Sequence, residues 1–363
     1  MARVLFFEAH RLCFFCCSEK GSLLYFYMVK DSLLTYDMNL RDEILRTIRR
    51  YSMIKKGDSV LIALSGGSDS IFLLHMLANL KTLLGLKLYI AHMDHGVRGL
   101  RSCADWMFVK RVAKKFKIKC AYKKLNFKKT KSKLSLEEIL RLKRYEFLRS
   151  SAKKFKLRTI ATAHTLDDQA ETVLMRIVKG SSLKGVMGIH PTRIEGHLKF
   201  VRPIIEIEKK EILKYLKIKK ILFRTDETNF QNNFLRNKIR NRVLPYLSGI
   251  NPRIKHALLN LSESLREDFE FIEEEKKKRS IILKTGKNLR YIALNDILLQ
   301  PQAMRKELVR ELIKLTGANV KKLKFSHWKD VDELVRAKQS GKVLNLPDGV
   351  SVKKTDDCLT FSR

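Results

Sequence analysis

A short run of small and hydroxyl-bearing residues has the composition of an anion-binding loop. It comprises Ser65, Gly66, Gly67, Ser68, Asp69 and Ser70. Adjacent glycines let the backbone approach an anion closely, hydroxyls add hydrogen bonds, and a following helix N-terminus supplies free N–H groups and the positive end of a dipole. The run lacks the Gly-Lys-Ser/Thr ending of nucleoside-triphosphatase loops. We predict a phosphate cradle here, with Asp69 holding a magnesium ion against the phosphates; a turn that merely caps a helix is the alternative.

Acidic side chains form a second candidate site, at the start of a later predicted helix. Asp167 and Asp168 stand where a helix best tolerates negative charge. Asp168 and Glu171 are three residues apart, so they lie on one helical face. Two carboxylates on one face suit the binding of a cation such as an amine or a magnesium ion. A solvated helix cap is the alternative interpretation.

Two other segments carry polar or cationic side chains at positions that suit a nucleotide. Asp94 and His95 follow an apolar strand, and strand ends are where ligand contacts fall in parallel sheets. Arg236 and Arg240 are four residues apart and therefore neighbours on a helical face, which suits contacts to phosphate. Arginines at this spacing are also common on solvated surfaces.

The elements that must position these residues alternate between strand and helix from residue 57 onward. Apolar strands separated by helices predict an α/β fold, with a parallel sheet covered by helices on both faces and ligands at the carboxyl ends of the strands. Asn39 is predicted to cap a helix that runs to Tyr51. The predicted strands are Ser59–Leu64, Lys87–Met93, Lys119–Lys123 and Arg158–Ala163, and the predicted helices include Ala104–Phe116, Leu136–Phe155, Asp167–Val178 and Lys209–Lys219.

The character of the chain changes after Pro245. A long helix follows Asn251 and Pro252, and a smaller helical and α+β region follows that helix. We predict three parts: an N-terminal extension at 1–37, a catalytic domain at 38–245 and a C-terminal region at 246–363. We hypothesise that the N-terminal segment is an upstream extension of the reading frame, with Met28 or Met38 as alternative starts.

Composition limits the class of protein and its partners. The 363 residues include 75 Lys+Arg and 38 Asp+Glu, for a net charge of +37, and 45% are hydrophobic. The hydrophobic fraction excludes a wholly disordered chain, and the charge favours a polyanionic partner or reflects a lysine-rich surface. Twelve Lys or Arg and no acid lie between Asp105 and Glu137. The six cysteines show no disulfide pattern, which predicts a cytoplasmic protein. The N-terminal apolar runs are far shorter than the ~20 residues of a membrane span, so no membrane segment is predicted.

Together these motifs resemble those of the tRNA(Ile)-lysidine synthetases, a family within the N-type ATP pyrophosphatase superfamily. Residues 65–70 match the SGGxDS pyrophosphate loop, residues 92–98 resemble HVDHGLR, and residues 164–172 match the segment that contains DDQxET. Residues 226–240 resemble the family's stretch ending in R-N-x-I-R, and residues 141–145 resemble R-x-x-R-Y. The resemblance covers most of residues 38–245.

The resemblance implies an ATP-dependent carbon–nitrogen ligase that forms AMP and pyrophosphate. Its substrates would be free L-lysine and an isoleucine tRNA with a CAU anticodon, whose wobble cytidine is adenylated and then receives the lysine. It assigns Ser65–Ser70, Asp94 and His95 to ATP, with Mg²⁺ on Asp69. It assigns Asp168 and Glu171 to lysine, Arg236 and Arg240 to substrate, and Arg144 to the adenylated intermediate. The implied catalytic residues are Asp69, Arg144, Asp168, Glu171 and Arg240.

Two other functions share part of this pattern. A tRNA thiolase of the same superfamily would share the loop but would use cysteines as sulfur carriers or cluster ligands. Residues 38–245 contain only Cys103 and Cys120, with no Cys-x-x-Cys pair. A non-catalytic RNA-binding protein is the second alternative. The sequence does not distinguish a monomer from a homodimer.

Overall fold

The computed structural model describes residues 19–94, 100–125, 136–224, 235–286 and 289–363. The chain divides into two compact units, the first ending at Ser262 and the second running from Glu263 to Arg363. The domain boundary at 245/246 stays a prediction.

Within the described ranges, the first unit is built from six strands and the helices between them. The strands are β1 (Ser59–Ala63), β2 (Lys87–Asp94), β3 (Lys119–Lys124), β4 (Thr159–Ala161), β5 (Thr192–Glu195) and β6 (Leu198–Val201). The helices are α1 (Glu19–Arg50), α2 (Ser68–Asn79), α3 (Lys81–Leu84), α4 (Leu100–Lys115), α5 (Leu136–Lys154), α6 (Leu166–Val178), α7 (Leu183–Val186), α8 (Lys209–Ile218), α9 (Leu235–Lys238), α10 (Leu244–Ile250) and the first part of α11 (Ile254–Arg279), whose residues from Glu263 onward belong to the second unit. A π-helical turn, Ile239–Val243, joins α9 to α10.

The six strands form one sheet in the order β3-β2-β1-β4-β6-β5. All neighbours are parallel except β5, which pairs antiparallel with β6. The predicted α/β fold with a mainly parallel sheet is thereby confirmed. The strand order reverses between β1 and β4, so the crevice at the carboxyl ends of these two strands is the expected ligand site.

Side chains of β1 explain why helices cover both faces of the sheet. Val60 and Ile62 are fully buried in a cluster that includes Phe72 of α2. Leu61 points to the other face, where it is buried with Ile160. Each fully buried aliphatic side chain contributes roughly 1.5–3 kcal/mol relative to exposure. Such two-sided burial is why the strand is apolar throughout, without alternation.

Two local predictions differ from the structure. The first helix begins at Glu19, and Asn39 is an exposed residue within it rather than its N-cap. Asn in a helix interior costs well under about 1 kcal/mol relative to Ala, so a solvent-facing Asn does not stop a helix. The β5–β6 hairpin was not predicted, because its first strand is short and polar and its turn at Gly196, with φ +57°, is a local signal only.

The second unit is an antiparallel sheet with helices, in agreement with the predicted smaller α+β region. The strands are β7 (Lys284–Thr285), β8 (Arg290–Ala293), β9 (Val343–Leu346), β10 (Val350–Lys354) and β11 (Cys358–Ser362), in the order β7-β8-β11-β10-β9. The helices are α12 (Leu294–Leu298), α13 (Gln302–Leu315) and α14 (Phe325–Arg336). Leu308, Trp328 and Phe361 contribute to its buried core. In the described parts of both units, no helix has a stretch that is long and apolar enough to cross a bilayer.

Candidate active site

The predicted phosphate loop connects β1 to α2. Gly66 has φ +92°, a backbone conformation that side chains other than glycine rarely adopt. The Ser70 hydroxyl lies 3.2 Å from the Gly66 N–H and donates to the Gly67 carbonyl at 2.9 Å. The Gly67 N–H lies 3.3 Å from the Ser65 hydroxyl. These contacts fix the loop directly before the N-terminus of α2, whose first N–H groups and dipole suit an anion.

Neighbouring elements hold this loop on both sides. The Leu64 N–H donates to the Ala91 carbonyl at 3.0 Å, and His92 Nδ1 donates to the Leu64 carbonyl at 2.8 Å. Because a carbonyl can only accept, the proton of a neutral His92 is on Nδ1. On the other side, the Arg224 N–H donates to the Gly66 carbonyl at 2.9 Å. These hydrogen bonds therefore fix the loop at the carboxyl end of β1.

Asp69, in the first turn of α2, contacts a lysine from a distant part of the chain. The Lys209 ammonium donates to the Asp69 carboxylate and, at 2.7 Å, to the Ser68 hydroxyl. Burial raises the pKa of Asp69, against the opposing effect of the Lys209 charge. The Lys209 backbone N–H donates to Asp167 at 2.6 Å. The first turns of α2, α6 and α8 thus meet at one point.

A second lysine completes the contact between these helices. The Lys255 ammonium, near the start of α11, donates to Asp167 at 2.6 Å and to Glu208 at 3.1 Å. Both lysines lie at helix N-termini, where the dipole disfavours positive charge. That unfavourable placement is the sequence signal that could have pointed to Lys209 and Lys255, neither of which was predicted as a site residue.

The start of α6 is fixed by a reciprocal cap. The Asp168 N–H donates to the Thr165 hydroxyl at 3.3 Å, and the Thr165 N–H donates to the Asp168 carboxylate at 3.0 Å. Such a capping box satisfies backbone donors that a helix start otherwise leaves unpaired. One carboxylate oxygen of Asp168 is occupied in this way, which leaves the other for a cationic partner.

Arg236 and Arg240 form ion pairs with Asp168 and Glu171, the two carboxylates predicted to bind a cation. Arg236 donates to Asp168 and to Glu171, each at 2.7 Å. Arg240 donates to both oxygens of Glu171, at 2.5 and 3.0 Å. Glu171 is only 1% exposed, so this pairing compensates a buried charge. The predicted contact of these arginines with substrate stays a prediction.

The same pairing affects ionisation. Burial opposes the charged form of Asp168, but His164, the Arg236 and Arg240 guanidiniums and the hydrogen bond from the Thr165 amide more than offset it, so the pKa of Asp168 lies below its usual value. Hydrogen bonding to Glu171 raises the pKa of Arg240. Asp168 and Arg240 are therefore charged at neutral pH.

Gln169 fixes the position of α6 through a fully satisfied amide. Its Nε2 donates to the Met187 carbonyl at 3.2 Å and to the Ser262 hydroxyl at 2.8 Å. Its Oε1 accepts from the Ile189 N–H at 2.6 Å. Gly188 has φ +67°, and a Cβ there would lie 2.7 Å from Gln169 Oε1, so this turn requires glycine. Gln169 is thus a positioning residue for its neighbours Asp168 and Glu171.

A cavity of about 480 Å³ brings together four of the predicted site residues, Asp69, Asp168, Glu171 and Arg240, and the other predicted site residues are not in its lining. It joins the Asp69 side of the loop to the acid pair on α6. Its lining comprises Asp69, Thr165, Asp167, Asp168, Glu171, Lys209, Arg240, Leu244, Pro245, Ser248 and Lys255. Asp94 is buried at the end of β2, and Arg144 is exposed on α5; neither is part of this lining. His95 lies outside the described residues.

The oxygen donors of this cavity fit a magnesium ion that arrives together with phosphates. No group of three or more His, Cys, Asp or Glu in the described ranges is arranged to hold a metal by itself. Mg²⁺ commonly binds through one or two carboxylates and completes its shell with water and substrate phosphates. Asp69, beside the phosphate loop, supplies a carboxylate of this kind.

Three histidines of the first unit remain uncharged at neutral pH and predict acid sensitivity. Burial lowers the pKa of His75 to about 4, of His164 to about 3, and also that of His92. The unfolded chain, with a histidine pKa of about 6.5, binds these protons first. We therefore expect the free energy of unfolding to fall as the pH decreases below about 6.5.

Urea unfolding of the full chain between pH 7.5 and 5 measures this effect. His75→Gln removes one titrating group, so its stability should depend less steeply on pH than that of the wild-type chain. Unchanged or increasing stability of the wild-type chain on acidification would contradict the prediction.

Comparisons with known proteins fit this geometry. Residues 38–247 match the PP-loop domain family. The tRNA(Ile)-lysidine synthase of Clostridium perfringens is 34% identical over 314 residues, which is 86% of this chain and 66% of that protein. The tRNA(Ile)-lysidine synthase of Clostridioides difficile is 34% identical over 326 residues, 88% of this chain and 70% of that protein. The chain thus spans about two thirds of these relatives' length.

A solved structure shares the fold. The U34-tRNA thiolase NcsA from Methanococcus maripaludis superposes with a TM-score of 0.54 at 19% sequence identity, covering 62% of this chain and 78% of that chain. At this level of identity the similarity concerns the fold alone.

Proposed function

Since this chain belongs to the tRNA(Ile)-lysidine synthase family of PP-loop proteins, we propose that it joins free L-lysine to C2 of the wobble cytidine in a CAU-anticodon tRNA(Ile). The reaction would consume ATP and release AMP and pyrophosphate. One observation carries this proposal. The cavity places Asp69, beside the phosphate loop, together with the acid pair Asp168 and Glu171, so one site can hold both a nucleotide and an amine.

In the first step, the cytidine O2 would attack the α-phosphorus of ATP and pyrophosphate would leave. The N–H groups at the N-terminus of α2 would hold the phosphates. Asp69 would hold Mg²⁺, whose chemistry when bound would be to supply positive charge close to the pyrophosphate. Because the loop is fixed by β2 and Arg224, its dipoles need little rearrangement during the reaction, which is the condition for electrostatic stabilisation of a transition state.

In the second step, the lysine ε-nitrogen would form a bond to C2, the bond between C2 and the adenylated oxygen would break, and AMP would leave with the electron pair. Asp168 and Glu171 would hold the lysine ammonium until it loses a proton to water and becomes the nucleophilic amine. The lowered pKa of Asp168 makes this carboxylate a weak base, so its role is to bind and orient lysine. Arg236 and Arg240 can reach an anion only by loosening their contacts to these carboxylates.

An exposed basic surface fits the tRNA of this proposal. All eight Lys and Arg between positions 110 and 124 are exposed; they lie on α4, on the adjacent edge strand β3 and, in the case of Lys117, between the two. Clustered exposed cations bind the nucleic-acid backbone by releasing its counterions. On the same side, the rings of Trp106 and Tyr122 stack on each other at 4.0 Å.

The two cysteines whose side chains the structure describes, Cys120 and Cys358, do not favour a thiolase. Such an enzyme needs a reactive thiolate or cluster ligands. Burial raises the pKa of Cys120 to about 11, so its thiol stays protonated. Cys358 lies in the second unit. Lysine transfer in the cytoplasm therefore remains the function that we propose.

The test is direct. The purified chain is incubated with CAU-anticodon tRNA(Ile) transcript, ATP, Mg²⁺ and labelled lysine, and the digested nucleosides are analysed by mass spectrometry. We expect a lysine–cytidine adduct that requires ATP. Absence of the adduct would contradict the proposal, a sulfur-containing nucleoside under thiolation conditions would favour the thiolase, and tRNA binding without any chemistry would indicate a non-catalytic protein.

A further inference from the structure

We propose that Lys209 supplies the phosphate-binding lysine that the loop itself lacks, and that its ammonium contacts the β- and γ-phosphates of ATP and the pyrophosphate product. This inference rests on the proposed function, because it assumes that the loop binds ATP. It adds a residue with a specific role to the site.

The position of the Lys209 ammonium is the first argument. Residues 65–70 contain no cation, and a triphosphate brings several negative charges to the loop. Lys209 lies about 140 positions downstream, yet its ammonium contacts the Asp69 carboxylate and lies 2.7 Å from the Ser68 hydroxyl. Both partners lie in the first turn of α2, where the loop ends. The ammonium is therefore at the rim of the phosphate cradle before any nucleotide binds.

The energetics of the Lys209 contacts favour a role in binding over a role in folding. The Lys209 side chain is 38% exposed and that of Asp69 is 29% exposed. Ion pairs that remain accessible to water typically contribute about 0–1 kcal/mol to stability. Lys209 also occupies the first position of α8, where the helix dipole disfavours a cation. Lys209 thus lies where its charge is unfavourable for the helix, and its ion pair adds little to the stability of the fold. Such a placement is expected if the ammonium binds a ligand.

The phosphates that this ammonium can contact follow from the chemistry of the first step. The α-phosphorus must be accessible to the cytidine, so the loop holds the departing β- and γ-phosphates. Negative charge develops on this pyrophosphate as its bond to the α-phosphorus breaks. A cation placed there stabilises the transition state more than the bound substrate.

The experiment compares Lys209→Met with Lys210→Met in the full chain. Lys210 is the next residue of the same helix, its side chain is 71% exposed, and it pairs with Glu208 at 2.9 Å. Binding of Mg²⁺–ATP, pyrophosphate and AMP is measured by calorimetry, and circular dichroism confirms that each variant is folded. We expect Lys209→Met to weaken ATP and pyrophosphate binding by about 10- to 100-fold, as loss of a charge-assisted hydrogen bond does, and AMP binding by less than about two-fold.

Lys210→Met should resemble the wild-type chain, and Lys209→Arg should recover part of the lost affinity for ATP. Equal losses for ATP and AMP, or unchanged ATP binding in Lys209→Met, would overturn the inference and leave the proposed function intact. Absence of ATP binding by the wild-type chain would overturn both.

Discussion

Replacing Glu171 by glutamine should reduce lysine transfer by about 10²- to 10³-fold, because it removes a buried charge from a cluster whose members depend on it. Glu171 is 1% exposed and receives hydrogen bonds on both oxygens. Glutamine keeps the volume of the side chain but offers only one acceptor oxygen and adds N–H donors that face the guanidinium donors. The ammonium of lysine then loses its strongest partner. The phosphate loop is on another helix, so ATP binding should be retained.

Lysine transfer and ATP binding are measured separately for Glu171→Gln, with Arg176→Gln as the matched control. Arg176 is an exposed residue of the same helix, and its replacement should leave both quantities unchanged. Parallel loss of lysine transfer and ATP binding in Glu171→Gln would mean that the carboxylate does not act on lysine specifically.

Replacing Asp69 by asparagine should slow the step that consumes ATP and leave lysine binding intact. Pyrophosphate release should fall by about 10²- to 10⁴-fold, since the carboxylate that would hold Mg²⁺ beside the phosphates is lost. The amide remains able to accept from Lys209 and from the Ser68 hydroxyl, so the loop should keep its fold. Lysine binding at Asp168 and Glu171 should persist.

Pyrophosphate release is followed over a range of Mg²⁺ concentrations, and lysine binding is measured by calorimetry. Glu146→Gln, on the exposed surface of α5 and 60% exposed, removes a carboxylate elsewhere and should have no effect. A variant at Asp69 that keeps the wild-type rate and Mg²⁺ dependence would exclude Asp69 as the metal-binding carboxylate.

The parts of the fold that could be predicted depend on local pattern. Strand β1 is apolar because both its faces are covered, and the following glycines are required by a loop conformation that few other residues adopt. Such signals lie within a few residues of one another. Asn39 misled the prediction because an exposed polar residue next to an apolar face is compatible with both a cap and a helix interior. The β5 strand was missed because its pairing with β6 is its main reason to be extended.

In the candidate site, too, residues with a local sequence signal could be predicted, whereas residues that depend on contacts in the folded chain could not. Asp69, Asp168 and Glu171 belong to motifs that are contiguous in sequence, so residue types and spacing identified them. Lys209 and Lys255 resemble surface lysines until the topology of the sheet brings the starts of α2, α6, α8 and α11 together. Which anion or carboxylate an arginine contacts is not encoded in its spacing either. Arg236 and Arg240 were predicted to meet substrate, and in the structure they pair with Asp168 and Glu171.

This pairing has a consequence for the order in which substrates can enter. Asp168, Glu171, Arg236 and Arg240 together carry no net charge before a substrate arrives. If a lysine ammonium bound alone, it would add an uncompensated positive charge to a largely buried site. A phosphate bound to one of the arginines would compensate that charge. Under the proposed function, lysine and nucleotide binding would then be thermodynamically linked, and each would increase the affinity of the other by the same factor. Free lysine, however abundant, would be held weakly between turnovers, and the amine would enter once the phosphates are in place.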